Sequence, residues 1–211
     1  MRILLVDYIE ANYRKNEPIF ISDLSNCGLN MARIRNEVKR LVDDGKLKRF
    51  DTGIYYIPKK TIFDIDAVPS REVIIKKKYI QNNEENFGYL SGLGLANQIG
   101  ITTQVPVVYE IVSNKATKDY REVMVGNAKV ILRKPKIVIN KENYKVLQFL
   151  DLMKDIDMVS ELNGKALKEK LLDYMAKAKI TFEMVKQYIR YFPDKIFKNL
   201  YETGLLDYVS A

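Results

Sequence analysis

Histidine and tryptophan are absent from this chain of 211 residues, and cysteine occurs once, as Cys27. Without histidine there is no Ser-His or Cys-His catalytic couple and no HExxH metal helix, and one thiol cannot build a Cys/His zinc cluster. Hydrolytic and zinc-dependent activities are therefore disfavoured. We expect a protein that is not an enzyme, with no catalytic residue, no metal and no cofactor.

Long apolar runs are also missing, since none approaches the roughly 18 residues that a membrane span needs. The hydrophobic start at Ile3 to Val6 is interrupted by Asp7 and Glu10, so it predicts a helix and not an export signal. One cysteine cannot form an internal disulfide. These features predict a cytoplasmic protein without a membrane partner.

What the chain does contain is positive charge, with 35 Lys and Arg against 27 Asp and Glu, a net +8. Its length and its 47% of hydrophobic residues favour two domains. The hydrophobic alternation ends after Pro58, so we expect one domain at residues 1–60 and another at residues 61–211.

Residues 29–58 are the most informative segment. Asn30 is a predicted N-cap, and apolar residues then recur at helical spacing from Ile34 to Val42, so one face of a helix is predicted to be buried. The opposite face is polar and basic. It carries side chains that could reach a DNA groove, namely Ala32, Arg33, Asn36, Lys39 and Arg40.

The predicted helix stops at Gly45 and is followed by a basic hairpin. Lys46 to Phe50 and Ile54 to Ile57 are predicted strands, joined by a turn in which Gly53 can adopt a positive φ. Residues 33–49 hold seven cations and three acids, a net +4. Phosphate binding by a small element needs such a concentration of charge, although a solvated basic helix is the simpler alternative.

The residues before this segment complete a winged helix-turn-helix. Ile3 to Tyr13 give a first amphipathic helix, Pro18 to Ile21 a short strand that could pair with the wing, and Ser22 a cap for a brief helix from Asp23 to Asn26. The predicted DNA-binding residues are Asn30, Ala32, Arg33, Asn36, Lys39, Arg40, Lys46, Lys48, Arg49 and Thr52.

Downstream patterns predict a mixed α/β domain that ends in a helical region, so the fold class is α+β. The first predicted element is a helix from Ser70 to Ile80, which buries Val73, Ile74 and Tyr79 and exposes Lys76 to Lys78. A helix within 87–100, a strand within 101–106 and a strand from Val107 to Val112 are predicted to follow. The last predicted elements are a hairpin of Arg121–Val125 with Lys129–Arg133, and helices from Lys141 that Pro193 interrupts.

Acidic residues offer few candidate sites. Asp64 and Asp66 have the spacing of a metal-binding pair but lie in a linker-like stretch, and Asp151, Asp155 and Asp157 are predicted to line a solvated helix face. The three glycines between residues 92 and 100 do not have the spacing of a dinucleotide-binding loop, so they predict turns or tight packing.

Two motifs in order carry a family resemblance: Gly53 to Pro58 at the end of the predicted wing, and a longer motif that begins about thirty residues later, at Tyr89. The second motif includes Tyr89, Gly92, Asn97, Gly100, Thr102, Thr103, Gln104 and Pro106. Over about residues 1–150 the chain resembles the AbiEi-like antitoxin family, with Leu95 where that family often has alanine.

The resemblance implies an antitoxin of a type IV toxin–antitoxin system, which acts in abortive infection as a phage defence. Such a protein represses its own operon by binding an inverted-repeat operator as paired copies. It also counters a nucleotidyltransferase toxin, directly or functionally. The second motif would then either join a helix to the sheet or form a surface for a partner.

Two alternatives belong to other classes. One is a ligand-responsive winged-helix regulator with no connection to a toxin. The other is a metal-dependent enzyme that acts on nucleic acid through Asp64 and Asp66. RNA binding is disfavoured because the predicted wing has few aromatic residues suited to stacking on bases.

Overall fold

The computed structural model describes residues 4–206 and shows a mixed α+β protein. The chain separates into two compact units, the first ending at Lys77 and the second beginning at Lys78. The first unit starts with α1 (Leu5–Asn12), β1 (Ile19–Phe20), a 3-10 helix (Ile21–Cys27), α2 (Met31–Asp43), β2 (Lys48–Asp51) and β3 (Ile54–Tyr56).

The first helix and α2 are confirmed, although Ile3 lies outside the described residues. The brief second helix predicted at Asp23 to Asn26 is instead a longer 3-10 helix. Its N-cap position is occupied by Phe20 and not by Ser22, the cap that the sequence predicts. The predicted strand before it is confirmed as β1, which pairs antiparallel with β3 through Ile19 and Tyr55. The hairpin is confirmed as well, because β2 pairs with β3 and Gly53 has a φ of 73°.

A small apolar core holds these elements together. Each buried aliphatic side chain in it contributes about 1.5–3 kcal/mol relative to exposure. Its fully buried members are Leu5, Ile9, Ile19, Leu24, Ile34, Val38, Leu41 and Leu47. The core therefore joins one face of α1 to one face of α2 and fixes which side of α2 remains in solvent.

The first unit extends beyond the expected boundary at residue 60. It includes an antiparallel hairpin of β4 (Lys59–Lys60) and β5 (Asp66–Ala67) and most of α3 (Arg71–Tyr79). Asp66 pairs with Lys48 of β2, and Lys77 of α3 pairs with Glu17 at 2.7 Å. Contacts across 18 and 60 residues leave no local pattern, so the sequence could not place this boundary.

The α3 helix is confirmed, but its buried face differs from the prediction. Ser70 caps it through a hydrogen bond from the Val73 amide. Val73 is exposed, however, and Ile75 is buried in its place beside Ile74 and Tyr79. Lys77 was predicted to be solvated, yet only 15% of its side chain is exposed because it binds Glu17.

The second unit contains a four-stranded sheet in the order β6-β7-β9-β8. The β7 and β9 strands run parallel, and the other two pairs are antiparallel. The strands are β6 (Gly88–Ser91), β7 (Val108–Ser113), β8 (Tyr120–Val125) and β9 (Ala128–Arg133). The predicted strand at Val107 to Val112 and the predicted hairpin are thus confirmed.

Six α-helices and a short 3-10 helix (Ile189–Tyr191) accompany this sheet within the described residues. The α-helices are α4 (Gly92–Gln98), α5 (Tyr144–Lys154), α6 (Ile156–Val159), α7 (Gly164–Ala178), α8 (Phe182–Tyr188) and α9 (Lys195–Glu202). Their shared core includes Phe149, Leu171 and Ile196. The predicted interruption at Pro193 is confirmed, because the chain leaves helical structure there before α9 begins.

Two predictions between residues 87 and 106 are wrong. The segment at Gly88–Ser91 is the strand β6, and it precedes a shorter helix than expected. A side chain at position 88 would lie 2.2 Å from the carbonyl oxygen of Tyr79, so glycine is required by close packing. Residues 102–106 form an irregular loop and not a strand.

Candidate nucleic-acid interface

The α2 helix has one buried and one exposed face. Its N-cap is confirmed, because the side-chain oxygen of Asn30 accepts a hydrogen bond from the Arg33 amide at 2.9 Å. The apolar stripe of Ile34, Val38 and Leu41 is buried. The opposite face is exposed at each position that the sequence singled out: Ala32, Arg33, Asn36, Lys39 and Arg40.

The cations on this face differ in whether an acidic side chain pairs with them. Arg40 donates to Glu37 at 2.8 Å, and this pair is solvent-exposed on the arginine side. Within residues 4–206, no ion pair engages Arg33 or Lys39. An exposed pair such as Arg40–Glu37 is worth at most about 1 kcal/mol, so it can open when a stronger anion approaches.

The basic hairpin brings two predicted residues together at its turn. Arg49 donates to the Thr52 hydroxyl at 3.0 Å and to the Asp51 carbonyl at 3.3 Å, which orients its guanidinium along the turn. Lys46 is exposed just after α2. The turn therefore fixes the position of Arg49, and Lys46 lies exposed just before the hairpin.

Lys48 has a partner that the sequence did not reveal. It forms a salt bridge with Asp66, and the hydrogen bond to that carboxylate raises the pKa of the Lys48 ammonium. The sequence offers Asp66 as a metal ligand together with Asp64. Both instead lie beside Lys60, whose ammonium is 3.5 Å from Asp64 and 3.6 Å from Asp66. In the part of the chain that is described, no three His, Cys, Asp or Glu residues gather as metal ligands.

The second motif divides into two parts. Tyr89 is buried on β6, where burial raises the pKa of its hydroxyl, and Gly92 has a φ of 57°. The later residues form a connected loop: Gly100 has a φ of 74°, the Asn97 amide group lies 3.5 Å from the Thr102 carbonyl oxygen, and the Gln104 amide donates to the Thr102 hydroxyl at 3.1 Å.

Glu161 anchors this loop, which will be called the motif loop (residues 102–106). Its carboxylate accepts from the Thr103 amide at 2.6 Å, from the Thr103 hydroxyl at 2.9 Å and from the Gln104 side chain at 3.2 Å. The bond from the Thr103 amide holds the pKa of Glu161 below its ordinary value. Because side chains occupy these donors and Pro106 has no amide proton, the motif loop does not extend into a strand.

The motif loop exposes apolar side chains at its end. Val105 is 81% exposed and Val107, the residue after the loop, is 90% exposed, whereas Pro106 between them is partly buried. Glu161 is 58 residues from Thr103 in sequence, so no local pattern could have identified it. The structure thus fixes part of the motif and leaves two valines in solvent.

Asp151 corrects another prediction, because it is buried and not part of a solvated helix face. It accepts hydrogen bonds from the Ser91 hydroxyl, from Arg133 at 2.8 Å and from Lys154 at 3.0 Å. Burial by itself would raise the pKa of Asp151, but the charges of Arg133 and Lys154 outweigh it and hold that pKa below its usual value. Such a closed cluster fixes α5 to the sheet.

The chain belongs to a family of unknown function, DUF6088, whose model matches residues 6–181. A search of curated proteins finds no match to the chain. Among the residues described by the structure, no helix is both long enough and apolar enough to pass through a membrane.

Proposed function

We propose that the first unit is a winged helix-turn-helix that binds duplex DNA, and that the chain is a repressor of its own operon and an antitoxin. The proposal depends mainly on the orientation of α2: its apolar stripe is buried, while Arg33, Asn36 and Arg40 on the opposite face are exposed. A basic hairpin follows it directly.

The order of elements supports this proposal. Helix, 3-10 helix, α2 and hairpin follow one another as in winged helix-turn-helix domains, in which the second main helix enters the major groove. The strand β1 pairs with β3, so the hairpin belongs to a three-stranded sheet and is not an isolated ribbon. A recognition helix and a wing would then be held at fixed positions.

Individual roles follow from the partners of each side chain. Arg33 and Asn36 are suited to base edges, because arginine binds guanine and asparagine binds adenine in a bidentate manner. Lys46 and Arg49 are suited to phosphate. Lys48 is less available than the sequence suggested, since a phosphate must compete with Asp66 for its ammonium.

The antitoxin part of the proposal rests on the resemblance to AbiEi-like antitoxins. In this hypothesis the second unit counters a nucleotidyltransferase toxin, and the exposed Val105 and Val107, at the end of the anchored motif loop, are candidates for a partner surface. Paired copies of the chain would bind the two halves of an inverted-repeat operator.

Replacing single arginines of α2 tests DNA recognition. At 100° per residue, Arg33 is about 125° from the centre of the apolar stripe formed by Ile34, Val38, Leu41 and the partly buried Val42, and Arg35 is about 75° from it. Fluorescence anisotropy on duplexes from the chain's own promoter region should show that Arg33→Ala loses about 1–3 kcal/mol of preference over an unrelated duplex. Lys46→Ala should weaken both duplexes alike.

Arg35→Ala is the matched control, because it removes the same charge from the same helix beside the buried stripe. It should leave sequence preference unchanged. If Arg33→Ala and Arg35→Ala have equal effects, α2 does not read bases in this orientation. Contacts of α2 and the hairpin with about five phosphates should contribute about −4.5 to the log-log salt slope, which is a loss of several hundredfold in affinity between roughly 50 and 200 mM salt.

Co-expression tests the antitoxin role. The product of the neighbouring gene should arrest growth when expressed alone, and the full chain should relieve the arrest. The Arg33→Ala variant should still relieve it when both genes are expressed from unrelated promoters. Growth arrest that persists in the presence of the full chain would remove the antitoxin role and leave the DNA-binding role untouched.

A further inference from the structure

A second concentration of positive charge lies in the second unit, between residues 114 and 136. This window holds seven cations and two acids, a net +5. Residues 33–49 carry +4, so the two windows together carry +9 of a chain whose total is +8. The rest of the chain therefore has a net charge of −1, and the whole excess of positive charge falls in two places.

The sheet topology gathers much of this window at one end of the sheet. Arg133, the last residue of β9, is the register partner of both Tyr120, the first residue of β8, and Val112 near the end of β7. The loop of residues 114–119 and the segment that begins at residue 134 therefore leave the sheet at the same end. The Lys134 amide lies 3.4 Å from the Asp119 carbonyl oxygen.

Hydrogen bonds hold the two segments together. The Asn114 side chain accepts from the Ile139 amide at 3.0 Å and donates to its carbonyl at 2.8 Å. Lys115 lies over the Phe87 ring at 4.0 Å. The lysines of both segments are thus carried on backbone that is tied to the sheet.

Several cations of the window remain available. Lys129 is engaged by Glu122 at 2.9 Å and Arg133 by Asp151 at 2.8 Å. Lys118, Lys134 and Lys136, called the sheet-end lysines below, are exposed, and no ion pair holds them within residues 4–206. Nearby Arg121 is exposed as well.

Protection of an edge strand does not account for these lysines. Charged residues on an exposed edge discourage pairing with other chains, and β8 is an edge strand of the sheet within the described residues. Arg121 and Glu122 on β8 could serve that purpose with charges of both signs. The sheet-end lysines lie in the connections outside the strands, where residues 114–119 and 134–136 hold four lysines against one acid, Asp119.

We propose that this end of the sheet binds the phosphate backbone of duplex DNA, as a second contact surface in addition to α2. Adjacent strands are roughly 5 Å apart, so lysines beside the ends of β8 and β9 can contact neighbouring phosphates of one strand. Ammonium groups on exposed loops act as point charges without base selectivity. The choice of duplex DNA as the ligand rests on the proposed function.

Salt-dependent binding of the full chain tests this surface. The probe is a fluorescent duplex of about 30 base pairs with an arbitrary sequence, measured by anisotropy between roughly 50 and 200 mM salt. The test variant carries Lys118→Ser, Lys134→Ser and Lys136→Ser. The control carries Lys165→Ser, Lys170→Ser and Lys186→Ser, three exposed lysines of α7 and α8. Both variants have the same net charge.

The test variant should have a log-log slope shallower by about 2.7 than that of the control, because three phosphate contacts release about 0.9 counterion each. Across a fourfold change in salt this is a difference of about 40-fold in affinity. Equal slopes for the two variants would overturn the proposal, because the loss would then reflect net charge alone.

A third variant separates this proposal from the proposed function. Arg33→Ser with Arg40→Ser removes charge from α2 and leaves the sheet end intact. If it binds like the wild type while the sheet-end variant is weakened, the role of α2 fails and the second surface stands. If only the α2 variant is weakened, the second surface fails. Absence of binding by the wild-type chain would overturn both.

Discussion

Asp151 lies in a closed set of polar partners on α5. Its carboxylate balances two cations, Arg133 and Lys154, and accepts the Ser91 hydroxyl from β6. Removing one partner from a buried ion pair leaves the others uncompensated, and this costs more than the pair itself contributes. Asp151 is thus a residue on which the stability of the second unit depends.

We predict that Asp151→Asn lowers the free energy of unfolding by about 3–5 kcal/mol at neutral pH, as measured by urea denaturation. Its pKa is lowered in the folded state, so Asp151 contributes stability above the unfolded pKa of about 3.9, and this is lost as pH falls through the folded value. Stability of the wild type should therefore fall more steeply than that of the variant below about pH 4.

Asp155→Asn is the matched control for this measurement. Asp155 pairs with the same Lys154 at 3.1 Å, but 38% of its side chain is exposed. The control should cost at most about 1 kcal/mol, since solvent screens such a pair. Equal losses from the two variants would show that the contribution of Asp151 to the free energy of unfolding does not come from its burial.

At the scale of elements, one lysine of α3 makes three contacts with the residues that precede β1. The Lys77 ammonium donates to Glu17 at 2.7 Å and to the Pro18 carbonyl at 2.9 Å, and it lies 4.8 Å from the centre of the Tyr13 ring. Burial would raise the pKa of Glu17, but the hydrogen bond from Lys77 overcomes it and lowers that pKa. One side chain therefore joins α3 to the segment before β1.

We predict that Lys77→Met lowers the stability of the first unit by about 1–3 kcal/mol, because Glu17 then loses its charged partner while remaining partly buried. Hydrogen exchange should show faster opening of the backbone amide of Asn16, which donates to Ile57. The control is Lys76→Met, since Lys76 is exposed and engaged in no ion pair within the described chain. A similar loss from both variants would contradict this role of Lys77.

For the whole molecule, the distribution of charge matters more than its total. A chain with +8 spread evenly would attract polyanions weakly over its entire surface. Here the excess falls in residues 33–49 and 114–136, one window in each compact unit. Each unit also has an apolar core of its own, so a charge change in one window need not unfold the other.

We predict that the two sets of DNA-binding changes act independently. A variant that combines Lys46→Ser and Arg49→Ser, the two residues assigned to phosphate, with the three sheet-end substitutions should have a salt slope shallower by about 4.5, the sum of five contacts at 0.9 each. The measurement is the same anisotropy titration. A combined effect no larger than that of either set alone would mean that the two surfaces do not bind the duplex together.

Local patterns in the sequence were sufficient for α2, the basic hairpin and the strands β8 and β9. Each of these depends on interactions within about fifteen residues: an N-cap, a stripe of apolar side chains, or a tight turn with a glycine. The exposed face of α2 follows from the same periodicity, because burial of one stripe leaves the opposite side in solvent.

The sequence by itself thus determined an α+β chain with a basic segment after a capped helix, and it determined which side of that helix is apolar. Tertiary structure alone decided the pairing of Asp151 with Ser91 and Arg133, the anchoring of the motif loop by Glu161 and the extent of the first unit. These contacts join residues 18 to 60 positions apart. A charged side chain on an amphipathic helix has the same local pattern whether it faces water or an opposite charge, and only the packed fold distinguishes the two.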